Sequence, residues 1–253
     1  MSKEQFFYAG TQDLLATLDD AAGRGGVSRG QGFEDFLHMT VCALSGGQME
    51  EEYLKTVARY SSGKPKERAC DQFAQLLGQL ISTMEETRAD ILGDLFQGAI
   101  TYGEAGQFFT PDSVADCMAA MLAGDETAGT ERKTVCDPCC GSGRMLLAVA
   151  KRHPHWEFVG QDIDLRCVRM TAINLALRNL YGYVIWGNSL AVEQKLIYRT
   201  GFNSRGFVRE VPPETCLALI QRAATSAASA VAPPEPSQTT TDPSVPEKQL
   251  FLF

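Results

Sequence analysis

"CDPCCGSGRMLLAVA", residues 136–150, packs cysteines, glycines and a serine ahead of an apolar run, and its reading decides the fold. Three uses compete for such a stretch: a metal knuckle, a phosphate loop, or the cradle of another cofactor. Cys136 and Cys139 have C-x2-C spacing, but a structural zinc site needs a second pair of ligands. His153 and His155 stand two positions apart, past the helix that the glycines would open, so no metal is expected. A Walker loop needs Gly-Lys-Ser/Thr, and here the run is Gly143-Arg144-Met145. A dinucleotide fingerprint needs a third glycine beyond Gly141 and Gly143. What remains is a strand ending in Asp137, a tight Gly-Ser-Gly turn and a helix. Glycines let the backbone pass close to a ligand. The turn leaves room for a nucleoside whose amino-acid arm offers its ammonium group to Asp137.

Downstream, the pattern alternates. "KTVCDP" reads as a strand, "GRMLLAVAKRH" as a helix and "WEFVGQDID" as a second strand. "LRCVRMTAINLALRNL" is a second helix and "YGYVIWGNSL" a third strand with its exit loop. This β-α-β-α-β order predicts the first half of a doubly wound parallel sheet. Asp162 lies 19 residues past Gly143, the spacing expected of a ribose-binding acid. Asp164 is its rival. Asn188, after the third strand, could meet an adenine edge, with Ile163 packing on the ring. The competing reading makes these residues caps and turn-formers. Beyond Leu190 the signal weakens: "AVEQKLIYRTGF" is read as helical, "GFVREVPPE" as a fourth strand and "ETCLALIQRAATSAAS" as a last helix.

Upstream, residues 1–120 read as helical. A short helix over 1–19 carries Phe6, Phe7 and Tyr8, and 21–32 is a glycine-rich loop without a preceding strand. Phe33, Phe36, Leu37, Val41 and Leu44 then recur at helical spacing, with His38 read as a core residue. From Glu67 to about Gly98 the helical pattern returns, with a break near Glu85. "PDSVADCMAAML" is one more helix, with Pro111 in its first position and Thr110 before it as a cap. The chain is thus expected to be α/β, a helical N-terminal lobe (1–120) followed by a partial Rossmann-like sheet (121–225).

Composition bounds the function. No apolar run of 18 residues predicts a membrane span. The first ten residues lack a signal-peptide pattern, which with eight cysteines predicts a reducing, cytoplasmic setting rather than a disulfide framework. The net charge of −8 is uneven: −11 over residues 1–130, +5 over 131–210 and −2 over 211–253. An acidic surface does not attract a phosphate backbone, so any nucleic acid must meet the basic middle or a partner chain. The asymmetry could equally serve solubility.

"DPCCGSGRML" resembles the Asp-Pro-x-x-Gly-Ser-Gly motif of S-adenosylmethionine-dependent DNA adenine-N6 methyltransferases, closest to the modification subunit of type I restriction systems. "GEAGQFFTPDSVADCM", 103–118, resembles the segment that covers the methionine end of the cofactor in that family. "FVGQDIDLRCVRMTAINLAL" and "WGNSL" are similar to the second- and third-strand motifs. The resemblance runs from about Asp90 to Leu190. It implies a class I methyltransferase fold, S-adenosyl-L-methionine as cofactor and DNA as substrate. It also implies a cofactor pocket lined by Phe108, Thr110, Pro111, Asp137, Gly141, Gly143, Asp162, Ile163 and Asn188.

One part of the family pattern is missing. Adenine-N6 transfer uses Asn/Asp-Pro-Pro-Phe/Tyr to accept from the exocyclic amine and stack on the flipped base. The nearest stretch here is "VPPE", Val211 to Glu214, 23 residues beyond Asn188, and neither Val211 nor Glu214 has the required chemistry. No catalytic residue is assigned. With three or four legible strands, the sheet is read as incomplete and its edge as open to another chain. Residues 226–247 are rich in Ala, Pro, Ser and Thr and read as disordered. They lead to "QLFLF", which is similar to the peptides that dock on the bacterial sliding clamp, with Gln249, Leu250, Leu252 and Phe253 as contacts. The alternative is that this end folds back onto the exposed sheet.

Overall fold

The computed structural model describes residues 6–100, 109–123, 132–203, 206–212 and 214, and the backbone of 250–251. The lobe opens with α1 (Gly10–Gly25), α2 (Arg29–Leu44), α3 (Glu50–Ala58) and α4 (Ala69–Thr87). The expected glycine-rich loop at 21–32 shrinks to three residues. Ala21 and Ala22 continue the buried face set by Leu14, Leu15 and Leu18, so α1 runs on. It stops only where Gly26 turns left-handed at φ 66° and returns its N–H to Ala22 and Gly23. Ser28 then caps α2 by accepting from the Gln31 N–H. The break expected near Glu85 falls at Arg88, with φ 58°. His38 is half-buried, and burial lowers its pKa.

Asp90 caps α5 (Ile91–Leu95), which passes into a π-helical turn at Phe96–Ile100. After α6 (Asp112–Ala123) come β1 (Thr134–Asp137), α7 (Arg144–Ala150), β2 (Glu157–Asp162), α8 (Leu165–Leu177) and β3 (Gly182–Trp186). The three strands are parallel, as the β-α-β-α-β reading requires.

The next segment departs from expectation. Residues 191–202, read as helical, contain the strand β4 (Leu196–Asn203), which runs antiparallel to β3. Ile197, Tyr198 and Thr200 are buried, so the strand is covered on both faces and its pattern lacks polar alternation. A hairpin returns the chain: the Lys195 N–H reaches the Trp186 carbonyl at 2.8 Å. The strand β5 (Gly206–Val211) continues the meander, and β6 (Leu250–Phe251) pairs in parallel with β1. The sheet order is β5-β4-β3-β2-β1-β6, wider than the three or four strands legible in sequence. The helix expected from Glu214 onward and the segment 226–249 lie outside the described residues apart from Glu214 itself.

One apolar cluster runs from Leu14, Leu76 and Phe96 through Leu146 and Ile173 to Phe158, Val184 and Tyr198. Lobe and sheet therefore share a core. A second cluster, Tyr183, Ile185, Ile197 and Val211, forms on the opposite side of the strands. Residues 7–11 are pinned to this body by the buried Asp94. Its carboxylate accepts from the Phe7 N–H (2.9 Å), the Tyr8 N–H (3.1 Å) and the Thr11 hydroxyl (2.7 Å). Asp94→Ala would strip the acceptor from three donors, and should cost about 2–4 kcal/mol. A drop in the urea unfolding midpoint with an unchanged slope would show it.

Candidate functional site

The site is built at the C-terminal tips of β1, β2 and β3. Asp137 ends β1 and is buried, accepting from the Cys139 N–H at 3.1 Å. The turn that follows needs glycine twice, since Gly141 has φ 56° and Gly143 φ 87°. A Cβ on Gly141 would also stand 2.9 Å from the Phe109 ring. Phe109 thus lies on the loop, and Phe96 stacks behind it at 5.8 Å between centroids. Asp162, ending β2, accepts from the Gly141 N–H (2.9 Å) and the Asp164 N–H (2.9 Å). The glycine loop and the second strand tip are thereby tied together.

The rival acid is otherwise engaged. Asp164 caps α8 through the Arg166 N–H and pairs with the Arg166 guanidinium at 2.6 Å. Ile163, between the two acids, is 65% exposed. Asn188 uses its side-chain oxygen to close its own loop, accepting from the Leu190 N–H at 3.0 Å. Its position after β3 is as expected, and the turn-forming reading has direct support. The carbonyl of Thr110 accepts from Arg144 at 3.0 Å, and Pro111 leads into α6 with its carbonyl taking the Val114 and Ala115 N–H groups. Phe108 lies outside the described residues, so Phe109 is the aromatic seen against the loop.

Sequence reasoning missed what holds the loop in place. Asp90, buried at the head of α5, accepts from four donors. These are the Gly93 N–H (3.0 Å), the Asn174 amide (2.8 Å), the Ser142 hydroxyl and the Arg144 guanidinium (3.2 Å). Arg144 also meets Asp112 at 3.2 Å, and Asn174 donates to the Ser142 carbonyl at 2.9 Å. The capping role of Asp90 was available from "DILG"; its partners 52 to 84 residues away were not.

The electrostatics are unbalanced. Burial, aided by the charge of Asp162, raises the Asp137 pKa to about 6 against the Cys139 N–H, and burial raises that of Asp162. Among the described residues neither acid has an ion-pair partner. A buried and a half-buried carboxylate side by side without a cation favour a ligand that brings one, together with hydroxyl donors. Cys136 and Cys139 belong to no metal cluster among the described residues.

Residues 87–201 match the family N-6 DNA Methylase. Over 87 residues the chain is 31% identical to the uncharacterized protein MG259 homolog of Mycoplasma pneumoniae, a match that takes in 34% of this chain and 18% of that one. A Listeria monocytogenes protein provisionally assigned to the class I S-adenosylmethionine-dependent methyltransferases aligns at 17% identity and TM-score 0.38, over 68% of this chain and 51% of its own. The methyltransferase subunit of a Streptococcus thermophilus type I restriction-modification system aligns at 14% and 0.34, over 67% and 56%. The chain thus spans less than a fifth of the Mycoplasma protein's length and just over half of each solved structure.

Ionised Asp137 strains the folded chain. A folded-state pKa raised from 3.8 to about 6 gives stability that is present below pH 4 and lost as pH rises to about 6. Asp137→Asn should therefore match the parent near pH 4 and exceed it by about 1–3 kcal/mol at pH 8. Urea unfolding at the two pH values measures the difference.

Proposed function

We propose that the chain binds S-adenosyl-L-methionine over the tips of β1–β3 and serves DNA adenine-N6 methylation. The observation that carries the reading is the joining of buried Asp137, the glycine turn and half-buried Asp162 into one acidic cradle. The residues suit this cofactor in three respects. A carboxylate without a cation waits at the first strand tip, Gly141 and Gly143 have no room for a side chain, and an exposed apolar residue stands beside the second acid. When bound, the cofactor supplies an electrophilic methyl group. Asp137 would hold its ammonium and Asp162 its ribose hydroxyls. Ile163 would pack on the adenine and Asn188 would meet the adenine edge. Gly141 and Gly143 would let the backbone approach, and Phe108, Thr110 and Pro111 would cover the methionine end, with Phe109 behind them.

The amine-accepting element is a separate matter. "VPPE" begins at the end of β5, and the sheet order sets β5 four strands from β1. At about 4.8 Å per strand that is about 19 Å, too far to share a nucleoside-sized site with Asp137. Its place 23 residues beyond Asn188 does not bring it beside Asp137. Methyl transfer by this chain therefore calls for an acceptor from another subunit or from a segment outside the described residues. The same observation favours a second reading: a methyltransferase-fold scaffold that recruits DNA-processing partners, the sliding clamp through QLFLF among them. No helix among the described residues is long and apolar enough to cross a membrane, and a cytoplasmic setting fits this use.

Calorimetric titration with S-adenosylmethionine tests the site. Binding should weaken at least about tenfold in Asp137→Ala and as pH falls below about 6, where the acid takes up its proton. Absence of binding to the parent chain at pH 8 would sink the reading. Transfer of labelled methyl to adenine-containing duplex, with binding already shown, separates enzyme from scaffold.

A further inference from the structure

The outer edge of β1 has an unusual occupant. On its inner side β1 pairs with β2 along all four residues, Thr134 to Asp137. On its outer side Val135 faces Leu250 and Cys136 faces Phe251, a pairing of two residues across more than a hundred positions of chain. We propose that this edge is an acceptor site for an extended peptide in parallel register, and that the QLFLF segment of the same chain is its exchangeable resident.

Three observations support the proposal. First, the connection is permissive. β5 and β6 are opposite edges of the sheet, five strand spacings or about 24 Å apart. Thirty-seven residues lie between Pro212 and Leu250, several times the length needed. Second, the energetic terms nearly cancel. Closing a loop of that length disfavours docking by about two orders of magnitude. Two or three backbone hydrogen bonds return between one and two orders. The surplus must come from the leucines and phenylalanines of the segment, so residence depends on its sequence and is reversible. Third, the direction matters. The parallel register runs the segment toward the Asp137 end of β1, the end that carries the candidate cradle. A segment held there is withheld from any other partner, so cis docking and trans recruitment exclude one another.

The test uses a fluorescent peptide of residues 248–253, KQLFLF, followed by anisotropy. A chain lacking 248–253 should bind it saturably. The intact chain should bind at least about tenfold more weakly because its edge is filled. Phe251→Pro in the intact chain removes one backbone donor and should raise binding toward that of the shortened chain. Hydrogen exchange at Val135–Asp137 should speed up in both variants and slow again when peptide is added. Equal binding to the intact and shortened chains overturns the proposal, as does no binding to a shortened chain that keeps its circular dichroism and melting temperature. If the shortened chain does not fold, the Phe251→Pro result decides alone. A dimer that disappears on deletion of 248–253 assigns the edge to a second copy and overturns the cis assignment.

Discussion

Everything at the strand tips depends on the four hydrogen bonds that converge on Asp90. A glycine-rich turn offers few side chains to hold it, and this one is held through its single serine by a carboxylate in the helical lobe. Asp90 sets Ser142 within the turn, Arg144 at the head of α7 and Asn174 in α8. A buried carboxylate and guanidinium are tolerable only when nearly every donor and acceptor is matched. The matching therefore fixes the turn more tightly than packing alone could. It also explains why the lobe and the sheet share one core. The family match starts at residue 87, three positions before Asp90, and so includes the anchor while leaving out α1 to α3.

Against that rigid frame, the acids above it are left short of partners. Asp90 and Asp94 each satisfy several donors, whereas Asp137 is buried with the Cys139 N–H and a like-charged neighbour. The contrast separates carboxylates that hold the fold together from one whose charge is opposed by its burial. Asp164 belongs with the former: its cap and its ion pair with Arg166 account for it. Asp162, two residues earlier, also ties the turn to β2 through the Gly141 and Asp164 N–H groups, but it has no ion-pair partner among the described residues.

The parts of this arrangement legible in the sequence are those written in local period. "KTVCDP", "WEFVGQD" and "GYVIW" announce strands, and the helices between them fix parallel order. The strand-end acids follow from that order. Where reading failed, the deciding contacts were distant or the local pattern was silent. β4 carries Ile, Tyr and Thr, all strand formers, but buried faces on both sides remove the alternation that marks a strand. The glycines at 23 and 25 suggested a loop, yet α1 has enough buried surface to continue through them. Asp90 and Arg144 are 54 residues apart, and no spacing rule connects them. "VPPE" failed differently: its place along the chain was sound, but two antiparallel strands carried it away from β1.

The hairpin that brings β4 back beside β3 has a bearing on how the chain assembles. Strands β3 to β5 are joined by short connections and meet sequence neighbours, so their pairing closes small loops. The β1 to β6 pairing closes the largest loop in the sheet for the fewest bonds. Contact order then gives the assembly a direction, from the meander at one edge toward the glycine turn, with β6 added last. A ribosome releases Phe251 only after the rest of the sheet has emerged, so synthesis and energetics impose the same order of events.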